Sequence, residues 1–228
     1  MTESNNRWVA IFGCGPSLSK TNPNELAKLD VEFIGINDCF TIEDKLLTPI
    51  SRKFNIVTQM CFVSFRDYYP KICEYLDRPD DNYAIICEDS FEYIQDKKVE
   101  FFEKYKGKVR LCPYLGLGNS VYVLLIYLFE HGIKNILLFG VDGVVSELAT
   151  HFEGIILPDD VSAPYYKTRI QADTENFNKY FLSDAETLGF TGFNVINCNP
   201  ESHINVFPKL SLKEVLATCP YPKTGKTS

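Results

Sequence analysis

The residues best suited to hold an anionic ligand sit in two glycine-bearing segments. The first is Ile11-Phe12-Gly13-Cys14-Gly15-Pro16-Ser17-Leu18, and the second is Gly116-Leu117-Gly118-Asn119-Ser120. Without a Cβ, Gly13 and Gly15 can bring their backbone N–H groups close to a phosphate, and a helix starting just after them would add its positive dipole end. Ser17 can cap such a helix or bond a phosphate oxygen. As a dinucleotide fingerprint the loop is incomplete, because Leu18 stands where the third glycine of Gly-x-Gly-x-x-Gly would be and Pro16 stiffens the turn. A tight strand-to-helix turn that holds no ligand is the alternative. Gly118 followed by Asn119 or Ser120 repeats the device, with either polar residue able to act as N-cap or as ligand contact.

Amides and carboxylates follow two strand-like runs. Gly35-Ile36-Asn37-Asp38 offers Asp38 to a ribose hydroxyl and Asn37 to a base or sugar edge; both can equally cap a turn. In Phe139-Gly140-Val141-Asp142-Gly143, Gly140 and Val141 lead into an acid at a strand's carboxyl end, where open α/β sheets bind ligands. Downstream, His151 is a candidate general base or an ordinary surface histidine. Tyr165, Tyr166, Lys167 and Arg169 could contact or neutralise a leaving phosphate. His131 and His203 read as structural. Gly225-Lys226-Thr227 imitates the end of a P-loop, but Pro220 occupies the position of its first glycine and the chain stops at Ser228.

Placing these residues together requires a parallel sheet. Strand-length apolar runs cover Trp8 to Phe12, Val31 to Ile36, Phe54 to Thr58, Tyr83 to Cys87, Val109 to Cys112, Asn135 to Phe139 and Phe193 to Asn197. Helical periodicity covers Ser64 to Leu76, Phe91 to Tyr105, Asn119 to His131, Thr174 to Leu188 and a short segment near Leu210 to Ala217. This alternation predicts an α/β fold: a Rossmann-like, mostly parallel sheet with helices on both faces. Gly143 to Ile170 lacks periodicity, yet Phe152, Ile155 and Ile156 make it too apolar for a plain linker, so it reads as a lid-like insertion. One domain over residues 1–220 and a frayed tail over 221–228 follow.

Composition narrows the function classes. Of 228 residues, 45% are hydrophobic, enough for a sizeable core, and a net charge of −7 disfavours a nucleic-acid partner. No run approaches a transmembrane span, the polar start is unlike a signal peptide, and the eight cysteines are widely spaced. Reduced thiols and a cytoplasmic location are expected. Aromatics at 14% leave room for a homo-oligomeric interface.

Val9 to Leu18, Gly35 to Asp38, Gly118-Asn119-Ser120-Val121-Tyr122 and Ile136 to Asp142, in that order, form a pattern over most of the chain. It resembles the superfamily of small bacterial lipo-oligosaccharide sialyltransferases, motility-associated flagellin glycosyltransferases and hydroxymethylpterin pyrophosphokinase-like proteins. The Gly-x-Gly-Pro-Ser-Leu element is its most specific part. The resemblance implies nucleotide binding at the carboxyl edge by Gly13, Gly15, Pro16, Ser17, Asn37, Asn119, Ser120, Gly140, Val141 and Asp142, with Tyr165 and Tyr166 as counterparts of lid tyrosines. Departures exist: Cys14 replaces the asparagine of the sialyltransferase loop, its arginine falls near Gly116, and its histidine falls near Arg169 or Ile170.

The leading expectation is sugar transfer from a nucleotide-sugar, a CMP-linked acidic sugar being one such donor, to a glycan or other hydroxyl acceptor. His151 or Asp142 would be the base, and no tightly bound cofactor or metal is expected. The alternatives are pyrophosphoryl transfer from ATP to a pterin-like alcohol, which would need Mg²⁺, and a nucleotide-binding protein without catalysis. A nicotinamide-dependent dehydrogenase with Asp38 on the ribose is further off.

Overall fold

The computed structural model describes residues 7–37, 39, 43–50, 54–58, 62–79, 82–87, 96–113, 119–143 and 163–218, with backbone alone at 44, 48, 56–58, 62–68, 87, 163–167 and 169. The seven apolar runs become the strands β1 (Trp8–Phe12), β2 (Glu32–Ile36), β3 (Asn55–Thr58), β4 (Ala84–Cys87), β5 (Val109–Cys112), β6 (Asn135–Phe139) and β7 (Asn194–Asn197). They form one sheet in the order β5-β4-β3-β2-β1-β6-β7, and every neighbouring pair is parallel. The chain therefore builds outward from β1 to β5, crosses back, and adds β6 and β7 on the far side of β1. The switch point between β1 and β6 is where open α/β sheets carry a crevice. Phe12 is level with Gly35 on β2 and with Phe139 on β6, so the three chains leave the sheet side by side.

Alternation along the strands sends side chains into two apolar clusters. Trp8, Ala10 and Phe12 of β1 join Phe33, Leu137 and Phe139 on one face. That face is covered by α1 (Pro23–Leu26), α2 (Glu43–Leu46), α3 (Phe62–Leu76), α4 (Lys98–Lys104) and α7 (Leu212–Thr218). Val9 and Ile11 face the other way, toward α5 (Ser120–Glu130) and α6 (Ala163–Thr187). Every residue of α5 from Val121 to Phe129 is buried, which explains its unbroken apolar run: it is a core helix, apolar all round. Phe177 and Phe181 of α6 stack at 5.0 Å and meet the Tyr122 ring of α5 edge-on at 5.4 and 5.1 Å. No described helix is long and apolar enough to cross a membrane.

Two boundaries differ from the periodicity. The helix expected from Thr174 starts at Ala163, so the end of the expected insertion, 163–170, is the first two turns of α6. Pro164 lies in the first turn of α6, where its missing N–H costs nothing and its fixed φ suits helical geometry. Residues 144–162 lie outside the described residues. The segment from Phe91 to Tyr105 is helical over Lys98–Lys104, and Phe91 to Gln95 lie outside the described residues. Residues 219–228, with the expected tail, do so as well.

Candidate functional site

The glycine loop leaving β1 and the chain leaving β6 clasp each other backbone to backbone. Gly13 N–H donates to the Phe139 carbonyl at 2.8 Å, and Gly15 N–H to the Gly140 carbonyl at 2.8 Å. The glycines are what permit this approach. A Cβ on Gly13 would lie 2.6 Å from the Gly140 oxygen, and one on Gly15 would lie 2.5 Å from the Asp142 carboxylate. Gly140 itself adopts φ +61°, in the left-handed region that favours glycine. The donors expected to cradle an anion are thus spent on holding two strand ends together. The loop also runs into only a five-residue 3-10 turn, Pro16–Lys20, rather than a long α-helix.

Asp142 completes the clasp. Its carboxylate is buried and accepts from Ser17 N–H at 2.8 Å, Ser17 Oγ at 2.5 Å and Asn199 Nδ2 at 2.8 Å. Ser17 therefore bonds a carboxylate of its own chain instead of capping a helix. Beyond β7, Asn199 and its neighbours form a second polar layer. Asn197 Nδ2 donates to the Val141 carbonyl at 3.0 Å, Ser202 Oγ donates to the same carbonyl at 2.7 Å, and His203 N–H donates to the Asp142 carbonyl at 2.7 Å. Asn197, Asn199 and Ser202 were not read from the sequence as site residues. Their signal is the Asx-rich turn Asn197-Cys198-Asn199-Pro200-Glu201-Ser202 directly after the last strand.

A second group meets on the α5 side. Asn37 has φ 51°, and its Nδ2 donates to Ser120 Oγ at 3.3 Å. Asn119 is the N-cap of α5, its side-chain oxygen accepting from Val121 N–H at 2.9 Å and Tyr122 N–H at 3.4 Å. Asn119→Ala should lose that cap and cost about 1 kcal/mol, seen as a melting temperature lower by roughly 2–4 °C. The Tyr122 hydroxyl donates to Asp184 on α6; burial, then that contact, pushes the phenol's pKa up.

The first turns of α6 rise above the same edge. Thr174 Oγ1 donates to the Gly143 carbonyl at 3.0 Å, and the helix extends N-terminally for about 16 Å beyond that level at 1.5 Å per residue. This stretch carries Tyr165, Tyr166, Lys167 and Arg169, whose side chains lie outside what is described. Gly118, Asp38 and His151 lie outside the described residues altogether.

Between the clasp, the turn after β7 and α7 lies a cavity of about 340 Å³, lined by Ser17, Lys20, Gly140, Asn199, Glu201 and Lys213 among others. Its size is in the range that takes a small molecule, and its polar lining includes two ammonium groups (Lys20, Lys213), two carboxylates (Glu25, Glu201) and two amides (Asn22, Asn199). Lys20 bonds Glu201 at 2.5 Å; the contact raises the lysine's pKa and lowers that of the carboxyl. The depressed carboxyl makes the contact present at neutral pH and lost as pH falls through the lowered Glu201 value. Both groups are fully exposed, so titrating them should move the melting temperature little. Lys20 was not among the residues read from the sequence. Among the described residues no cluster of three or more His, Cys, Asp or Glu side chains gathers as a metal site would require.

Compared with known proteins, the chain matches no family model and no curated protein.

Proposed function

We propose that the protein binds a nucleotide-sugar at the carboxyl edge of its sheet and transfers the sugar to a hydroxyl acceptor, a CMP-linked donor being the first to test. The observation that carries this reading is convergence. Gly13, Gly15, Ser17, Gly140 and Asp142 meet at the β1/β6 switch point of an all-parallel sheet, beside a cavity of about 340 Å³, and Asn37 meets Ser120 at the same edge. The ordered motif pattern from Val9 to Asp142 supports the donor class.

In this reading the acceptor oxygen forms the new glycosidic bond as the bond from the sugar's anomeric carbon to the phosphate oxygen breaks. His151 takes the acceptor proton, and the nucleoside monophosphate leaves. Lys20 and Lys213 at the cavity, and Tyr165, Tyr166, Lys167 and Arg169 on the first turns of α6, are the groups with the chemistry to stabilise the departing phosphate. Asp142, with three donors already on its carboxylate, acts as anchor of the clasp rather than as base.

Calorimetric titration and thermal shift against CMP, CDP, UDP, GDP, ATP and NAD, each with and without Mg²⁺, test the reading. Cytidine nucleotides should bind selectively and raise the melting temperature; silence across the panel would end it. Lys20→Ala should weaken nucleotide binding roughly tenfold by removing a charge-assisted contact, while the melting temperature of the unliganded protein stays put because the side chain is exposed.

One observation favours a second reading, nucleotide binding without transfer. The Gly13, Gly15 and Ser17 N–H groups and the Asp142 carboxylate are engaged internally, so they hold the two strand ends together rather than a reacting group. Under it, cytidine nucleotides bind, no donor is hydrolysed or transferred, and His151→Ala changes nothing.

A further inference from the structure

Cys14 and Cys39 lie at the carboxyl ends of adjacent parallel strands, one in the glycine loop after β1 and the other after β2. Their sulfurs are 3.4 Å apart, in van der Waals contact. Reciprocal hydrogen bonds aim both thiols into the same gap: Cys14 Sγ–H donates to the carbonyl of Ile36, the last residue of β2, at 3.4 Å, and Cys39 Sγ–H donates to the carbonyl of Phe12, the last residue of β1, at 2.9 Å. Cys39 is fully buried, whereas Cys14 is only half-buried and flanked by two glycines that put no side chains beside it. One reachable thiol backed by one buried thiol is the arrangement of an attacking and a resolving cysteine.

We propose that Cys14 and Cys39 form a redox-active dithiol that low-molecular-weight disulfides of the glutathione class convert to an intramolecular disulfide. The Cys14 thiolate attacks one sulfur of the small disulfide, forming a mixed disulfide and expelling one small thiolate. The Cys39 thiolate then attacks the Cys14 sulfur, forming the Cys14–Cys39 bond and expelling the second. Two electrons pass from the protein to the small disulfide, and the two cysteine protons end on the two small thiols. Bond formation brings the sulfurs from 3.4 Å to about 2.05 Å. The product ties the glycine loop to the chain leaving β2 at Cys39, two residues after Asn37. The inference does not depend on which ligand, if any, the edge binds.

The test is peptide mapping of the intact protein after incubation in glutathione buffers of increasing disulfide content, with remaining thiols blocked by N-ethylmaleimide before trypsin digestion. Tryptic cleavage leaves Cys14 alone in the peptide Trp8 to Lys20 and Cys39 alone in Leu29 to Lys45. The expected result is a linked pair of these peptides, two hydrogens lighter than their sum, which accumulates ahead of any other cysteine pairing and is lost on adding excess reduced glutathione. Cys39→Ser should stop at a glutathione adduct on Cys14. Cys14→Ser, a milder change at a half-buried loop position, should leave Cys39 unmodified. Separate, blocked peptides at every ratio, or Cys14 linked first to another cysteine, would overturn the proposal.

Discussion

Gly140→Ala should destabilise the protein by about 2–5 kcal/mol and lower its melting temperature by roughly 5–20 °C. Two costs combine. A side chain at φ +61° pays about 1–2 kcal/mol for the left-handed conformation, and the added Cβ would sit 2.5 Å from the Gly13 carbonyl oxygen and 2.6 Å from Leu18 Cγ. Neither neighbour can give way easily: Gly13 is hydrogen-bonded to Phe139, and Leu18 is fully buried. Overpacking of that kind costs about 1–3 kcal/mol more. Gly107→Ala supplies the control, because Gly107 has φ +87° with nothing within 4 Å of the added Cβ, so it isolates the conformational cost. Urea unfolding of the two variants decides the matter; equal losses would mean that the clasp between β1 and β6 is not packed as described.

Asp142→Ala is the second large effect, expected at about 3–5 kcal/mol. It strands three donors in a buried setting: Ser17 N–H, Ser17 Oγ–H and the Asn199 amide. Each unsatisfied donor costs about 1–3 kcal/mol, and the total falls below the sum because relaxation and entering water recover part of it. Asp142→Asn keeps one oxygen acceptor in the same shape and should recover a fraction of the loss. The pair of variants also separates anchoring from catalysis. An anchor loses stability first and activity in proportion to unfolding, whereas a base would lose orders of magnitude in rate with the melting temperature unchanged.

All seven strands were legible, because each is a short run rich in apolar residues and bounded by polar or turn residues, and β1, β2 and β6 lie buried inside a parallel sheet, while the edge strand β5 still exposes Arg110 and Leu111. The α5 limits were legible for a related reason: Asn119 is a strong N-cap, and the apolar run stops at Glu130. Where reading failed, the cause was contact between distant segments. Gly13 and Gly15 look like an anion cradle when seen beside Pro16 and Ser17 alone. Only the β1/β6 pairing shows that their N–H groups donate to Phe139 and Gly140, and that Ser17 is claimed by Asp142, 125 residues away. The early start of α6 was hidden by Pro164, which reads as a breaker unless it occupies the first turn. Asn197, Asn199 and Ser202 were hidden because such residues form turns far more often than they support a site, and Lys20 because nothing local marks it as lining a cavity. His131 behaves as expected of a structural histidine: it is the C-cap of α5, with Nδ1 at 2.8 Å from the Tyr127 carbonyl.

Under the proposed function a nucleotide occupies the carboxyl edge at the β1/β6 switch point. Amide hydrogen exchange with and without CMP, read by mass spectrometry on the full chain, tests it most directly. Added CMP should slow exchange in Gly13 to Lys20, in Asn119 to Tyr122, in Gly140 to Gly143 and in Cys198 to His203, with the outer strand β5 and α4 unchanged. Unchanged exchange at saturating CMP, or protection confined to the separate groove lined by Tyr69 and Cys73 of α3 with Arg78 and Lys97, would contradict it.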